Sequence, residues 1–127
     1  MSHRHVVLLI DDHPDGLEST QALIEVHGFD VVGVRSAEEA LARLHGGLCC
    51  CIVVLDWRMP GMGGEQFLRA LSAEPRLAKV PLFVLTGDAG GMNRACELGV
   101  EHVALKPVDP DRLLDIIGQH CSSSSAA

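Results

Sequence analysis

Cys50-Cys51-Ile52-Val53-Val54-Leu55-Asp56-Trp57-Arg58-Met59-Pro60-Gly61-Met62-Gly63-Gly64 decides the fold. A near-continuous aliphatic run ends on a carboxylate, and a loop rich in Pro and Gly follows. Such a run, with no polar alternation, is the pattern of a parallel strand covered on both faces. Four further apolar runs read as strands: His5–Ile10, Asp30–Val34, Leu82–Leu85 and His102–Leu105. The second and fifth are shorter and belong nearer the edges.

Helical patterns separate the runs. The first covers about Asp15–His27 and stops at Gly28. The second opens on Ser36-Ala37-Glu38-Glu39, a capping box. The others span about Glu65–Ala73, Gly91–Leu98 and Pro110–Gln119, the last with Pro at its first position. A strand–helix unit repeated five times predicts an α/β fold: a doubly wound, flavodoxin-like parallel sheet with helices on both faces. The expected organisation is one domain over residues 1–121, a disordered tail over 122–127, and no output domain.

Composition narrows the partners. The 127 residues carry 10 Lys and Arg against 17 Asp and Glu, a net charge of −7, which disfavours DNA phosphate and anionic lipid. With four aromatic residues (Phe29, Trp57, Phe67, Phe83) there is no stacking platform for single-stranded nucleic acid. No apolar run approaches a bilayer span, and Val6–Ile10 is too short for a signal peptide, so a cytoplasmic location is expected. The five cysteines (49, 50, 51, 96, 121) are odd in number and unpaired in spacing; they are expected to be buried apolar thiols rather than a disulfide framework. The seven histidines show no ligand spacing and are expected at the surface or in a tail.

In an open α/β sheet, ligands bind beyond the carboxyl ends of the strands, at the switch point of the strand order. Strand one ends in Asp11-Asp12, strand three in Asp56, strand four in Thr86 and strand five in Lys106. With strand order 2-1-3-4-5 these groups meet. Three carboxylates together call for a counter-ion, and hard oxygen donors favour Mg²⁺ or Mn²⁺ over Zn²⁺. A carboxylate nucleophile, a divalent cation, a hydroxyl and a Lys make a set for phosphoryl transfer.

These residues resemble the receiver domain of bacterial two-component response regulators of the chemotaxis-regulator kind, over about Val6 to Gln119. The most specific element is Asp56-x-x-Met59-Pro60-x-Met62-x-Gly64; Asp11-Asp12, Thr86 and Lys106-Pro107 fall at the matching strand ends. The resemblance implies that Asp56 accepts a phosphoryl group from a phosphohistidine on a sensor histidine kinase or a histidine phosphotransfer protein. It implies Mg²⁺ held by Asp12 and Asp56, by Asp11 through water and by the Arg58 carbonyl. Thr86 and Lys106 would bind phosphoryl oxygens, the Lys106–Pro107 bond would be cis, and phosphorylation would switch binding to a downstream protein or to a second copy.

Two departures matter. The family carries an aromatic residue three before the Lys, where this chain has Val103, so output is expected to run through the loop after Thr86 and the fourth helix. Arg58 and Asp88 flank the pocket mouth, and their opposite charges suggest a salt bridge that tunes hydrolysis. A stand-alone regulator, a phosphorelay shuttle, a phosphate sink and a segment of a hybrid sensor kinase all remain open. The rivals are a Mg²⁺-dependent phosphohydrolase, a Toprim-type enzyme and a constitutive binding domain. The first expects Asp-x-Asp after strand one, where the acids here are adjacent; the second expects Glu there and Asp-x-Asp after strand three, where Arg58 stands in place of the second Asp.

Overall fold

The structure, a computed structural model, describes residues 6–121. In chain order the elements are β1 (Val6–Ile10), α1 (Pro14–Val26), β2 (Val31–Val34), α2 (Ala37–His45) and β3 (Cys50–Asp56). There follow α3 (Gly64–Ser72), β4 (Leu82–Thr86), α4 (Ala89–Glu97), β5 (His102–Leu105) and α5 (Pro110–His120). The strands pair in parallel in the order β2-β1-β3-β4-β5, as expected. The expected start of strand one at His5 and the expected tail at 122–127 lie outside the described residues.

Side chains alternate across the sheet and build two cores. Leu8, Ile10, Val53, Leu55, Val84 and Val103 pack beneath α2, α3 and α4. Val7, Leu9, Ile52, Val54, Phe83, Leu85 and Ala104 pack against α1 and α5. Each central strand is therefore covered twice, which is why its sequence carries no polar alternation.

Helix starts follow local chemistry. Ser36 Oγ accepts from Glu39 N at 3.0 Å, while the Glu39 carboxylate takes the Arg35 amide rather than that of Ser36, so only half of the expected box forms. α4 starts at Ala89, two residues before the expected Gly91, because Asp88 Oδ1 accepts from Gly91 N at 2.6 Å and caps the helix upstream of the glycine pair. Asp109 caps α5 through the Asp111 amide, with Pro110 leading the helix.

The cysteine expectation is corrected. Cys51 and Cys121 form a disulfide with Cα atoms 5.4 Å apart, across a sequence separation of 70. Strand alternation turns Cys51 toward the α1–α5 core, where the end of α5 delivers Cys121, so topology does the pairing that spacing does not reveal. Cys49 and Cys96 are exposed, not buried; half-buried Cys50 has its thiol pushed up to about 11, chiefly by burial. Among the described residues no helix is long and apolar enough to cross a membrane.

Candidate functional site

The site is made by strand ends. β3 and β4 each run one residue further than expected, so Asp56 and Thr86 are the last ladder residues, in register with Leu85 and Leu105. The next residues remain tied to the sheet: Trp57 N donates to Leu85 O and Lys106 N to Thr86 O, both at 2.8 Å. Backbone hydrogen bonds therefore fix where these side chains begin, and no loop has to be ordered to place them.

Asp56 is 6% exposed and Thr86 fully buried; they are the only buried polar side chains among the described residues. Lys106 Nζ lies 3.1 Å from Asp56 Oδ2. Burial holds the Asp56 carboxyl above the usual carboxylate range; Lys106 pulls it down, and Asp11 and Asp12 push it further up. The lysine for which the resemblance implies a phosphoryl oxygen thus pairs here with the carboxylate itself. The Lys106–Pro107 bond is cis, as the resemblance implied.

Asp11 and Asp12 follow β1. Asp11 Oδ1 accepts from the His13 amide at 3.0 Å, a turn that points the acids across the rim toward β3. One ligand atom from each of Asp11, Asp12, His13 and Asp56 falls within 4.8 Å of all the others. Asp12 Oδ1 is buried with no hydrogen-bond partner; the His13 ring nitrogen 3.3 Å away makes none with it. An orphaned buried carboxylate oxygen among hard donors is what a Mg²⁺-class cation would satisfy, so these residues fit the metal that the family implies. His13, expected only as a surface histidine, stands at this cluster; its adjacency to Asp12 was the available signal.

Arg58 and Asp88 meet as expected. The guanidinium grips the carboxylate at both ends, Nε to Oδ2 at 2.5 Å and Nη2 to Oδ1 at 3.1 Å, on an exposed surface. Asp88 is held down to about 2, first by Arg58 and then by the Gly91 amide. One side chain therefore caps α4 and ties it to the loop after Asp56. A second tie was missed: Glu65 accepts from Arg94 on α4 and Arg69 on its own helix, which together hold it at about 2. The Glu65–Arg69 spacing was legible; Arg94 is 29 residues away and needed the fold.

Trp57 turns inward, 7% exposed, between two glycines. A Cβ on Gly64 would meet the indole Cε3 at 2.4 Å. One on Gly91 would meet Thr86 Oγ1 at 2.4 Å and the indole Cδ1 at 2.8 Å. Gly61, at φ 76°, makes the turn between Pro60 and α3 that Cβ-bearing residues resist. Gly64 and Gly91 are thus the fit of two helix starts around Trp57. Val103 is buried beside the α4 face, and its carbonyl accepts from Arg112 at 3.3 Å.

Residues 7–118 match the family model for the response regulator receiver domain. The chain is 36% identical over 114 residues to response regulator Rre1 of Synechocystis, covering 87% of this chain and 49% of that protein. It is 38% identical over 117 residues to the C4-dicarboxylate transport transcriptional regulatory protein DctD of Rhizobium meliloti, covering 90% of this chain and 25% of that one. The chain therefore spans half or less of these two relatives. A crystal structure of a response regulator receiver protein from Pseudomonas putida superposes with a TM-score of 0.84 at 30% identity, over 94% of this chain and 99% of that one. With this fold, this rim and these matches, the chain belongs to the response regulator receiver domain family of two-component systems.

Proposed function

We propose that Asp56 is the phosphoacceptor and that its phosphorylation switches the surface around the start of α4. The observation that carries this reading is the convergence of Lys106, Asp11 and Asp12 on a single buried carboxylate beside a buried Thr86 hydroxyl. An Asp56 oxygen attacks the phosphorus of a phosphohistidine on a sensor histidine kinase or histidine phosphotransfer protein. The P–N bond breaks, its electron pair stays on the imidazole, and an acyl phosphate forms on Asp56.

Asp11, Asp12 and Asp56, with the Arg58 carbonyl, would hold Mg²⁺, which when bound offsets the charge on the acids and the arriving phosphoryl oxygens. Lys106 follows the new negative charge from the carboxylate to a phosphoryl oxygen. Thr86 Oγ1, now 3.4 Å from both the amide and the carbonyl of Asp88, turns to donate to another. That movement takes the hydroxyl away from Gly91 and loosens the cap of α4. With Val103 at the usual aromatic position, output passes through Thr86, Asp88 and α4. Arg58 and Asp88 screen the acyl phosphate from water and set its lifetime.

The domain works in the cytoplasm as a switch for a protein partner or a second copy of itself, without turnover of its own. The domain spans residues 1–121. Intact mass after incubation with acetyl phosphate tests the chemistry. One added phosphoryl group that requires both Mg²⁺ and Asp56 is expected; an adduct that survives in Asp56→Asn would refute it.

A further inference from the structure

The edge of the sheet opposite the carboxylates holds a second set of ligand-type side chains. His102 opens β5, four residues before Lys106, or roughly 13 Å away at about 3.3 Å per residue. His120 is the last residue of α5. Their rings meet edge to face with centroids 5.3 Å apart, and the two Nε2 atoms lie 3.2 Å from each other. The Phe83 ring backs His102 from β4. The His102 side chain is 15% exposed; the Glu101 carboxylate is 3.7 Å from its Nε2, on a side chain that is 80% exposed and has room to swing. A solvent-open cleft lined by Lys79, Leu98, Gly99, Glu101 and His120 reaches the His120 side of the pair.

We propose that His102 and His120, with Glu101 turning in as a third ligand, bind one divalent transition-metal ion of the zinc class and so tie the start of β5 to the end of α5. Two imidazole nitrogens, each about 2.0–2.1 Å from one tetrahedral ion, stand about 3.3–3.4 Å apart. The observed separation is already close to that bite. Without metal, one ring donates its Nε2–H to the lone pair of the other. To bind, the donor ring moves its proton to Nδ1, and both lone pairs then face the ion with no net release of protons.

Two imidazoles and a carboxylate, with solvent completing the shell, suit zinc-class ions, whereas Mg²⁺ prefers oxygen; the two rims of the sheet therefore select different metals. The negative end of the α5 dipole falls at His120 and favours a cation there. The Cys51–Cys121 bond, one residue on, holds the helix end in place before any ion arrives.

Calorimetric titration with Zn²⁺ in excess Mg²⁺, on an Asp11→Asn/Asp12→Asn chain whose carboxylate pocket no longer competes, tests the site. One Zn²⁺ per chain is expected, with affinity at least tenfold weaker after His102→Gln and after His120→Gln. A measurement on the chain with both histidines in place guards against misfolded variants: in excess Mg²⁺ and with Asp11→Asn/Asp12→Asn, one equivalent of Zn²⁺ should shift the ring-proton NMR signals of His102 and His120 and leave those of His27 and His45 in place. Equal Zn²⁺ affinity in both variants, or unmoved His102 and His120 signals, would reduce the pair to a structural hydrogen bond.

Discussion

Adding one methyl group at two helical glycines should have opposite effects. Gly118 lies exposed in α5, and a Cβ there meets nothing within 4 Å. Gly118→Ala removes unfolded-state freedom at no steric cost and should stabilise by about 0.5–1 kcal/mol. At Gly91 the same methyl meets Thr86 Oγ1 at 2.4 Å and Trp57 Cδ1 at 2.8 Å. Thr86 is fully buried and Trp57 is 7% exposed, so neither can yield by swinging into solvent. Overpacking of this kind costs about 1–3 kcal/mol, which outweighs the helix gain and leaves Gly91→Ala destabilised by about 1–2 kcal/mol. For a chain of 127 residues each kcal/mol moves Tm by roughly 3–6 °C. Thermal unfolding followed by far-UV circular dichroism should show Tm falling for Gly91→Ala and rising for Gly118→Ala. Thr86→Ala removes the closest contact, so the Gly91→Ala/Thr86→Ala pair should be less destabilised than the sum of the single changes. A Gly91→Ala chain as stable as Gly118→Ala would refute the packing of Trp57 and Thr86 against α4, and with it the proposed route from hydroxyl to helix.

Other expectations follow from the same geometry. Arg58→Ala breaks the bidentate tie to Asp88 and should shorten the lifetime of the phosphorylated state with little change in Tm; an unchanged decay rate in a phosphate-release assay would discard the gate. Cys51→Ser opens a cross-link between residues 70 apart and should cost about 2–4 kcal/mol, seen as a lower midpoint in urea that thiol reductant reproduces in the parent chain. Asp56 has a raised carboxyl pKa in the fold, so the native state holds that proton more tightly than the unfolded chain does. Stability from this group is present at low pH and is lost as pH rises through the folded value. Asp56→Asn should therefore be more stable than the parent at neutral pH, by a margin that narrows in acid; a constant margin across pH would contradict the assignment.

The parts legible in sequence are those that local chemistry fixes. Doubly covered strands betray themselves as aliphatic runs, and each run that ends in Asp11, Asp56, Thr86 or Lys106 delivers its group to one rim once the chain crosses over in the right-handed sense. Ser36 and Pro110 mark their helices because caps read only neighbouring residues. What escaped depends on groups that only the completed fold brings together. Cys51 meets Cys121 because β3 runs beneath the last turn of α5, and His102 on β5 meets His120 at the end of the same helix, two strands over. The sequence pattern starts α4 at Gly91, but the capping carboxylate of Asp88 starts it at Ala89 in spite of the glycine penalty at Gly90 and Gly91. Gly64 and Gly91 read as loop and helix punctuation until the indole between them is seen.

The proposed phosphotransfer turns on which carboxylate becomes the acyl phosphate. Borohydride reduction of the phosphorylated chain converts an aspartyl phosphate to homoserine, and peptide mass mapping then locates the residue. Homoserine is expected at position 56 alone, dependent on Mg²⁺. Homoserine at position 11 or 12 would place the nucleophile after β1 and contradict it.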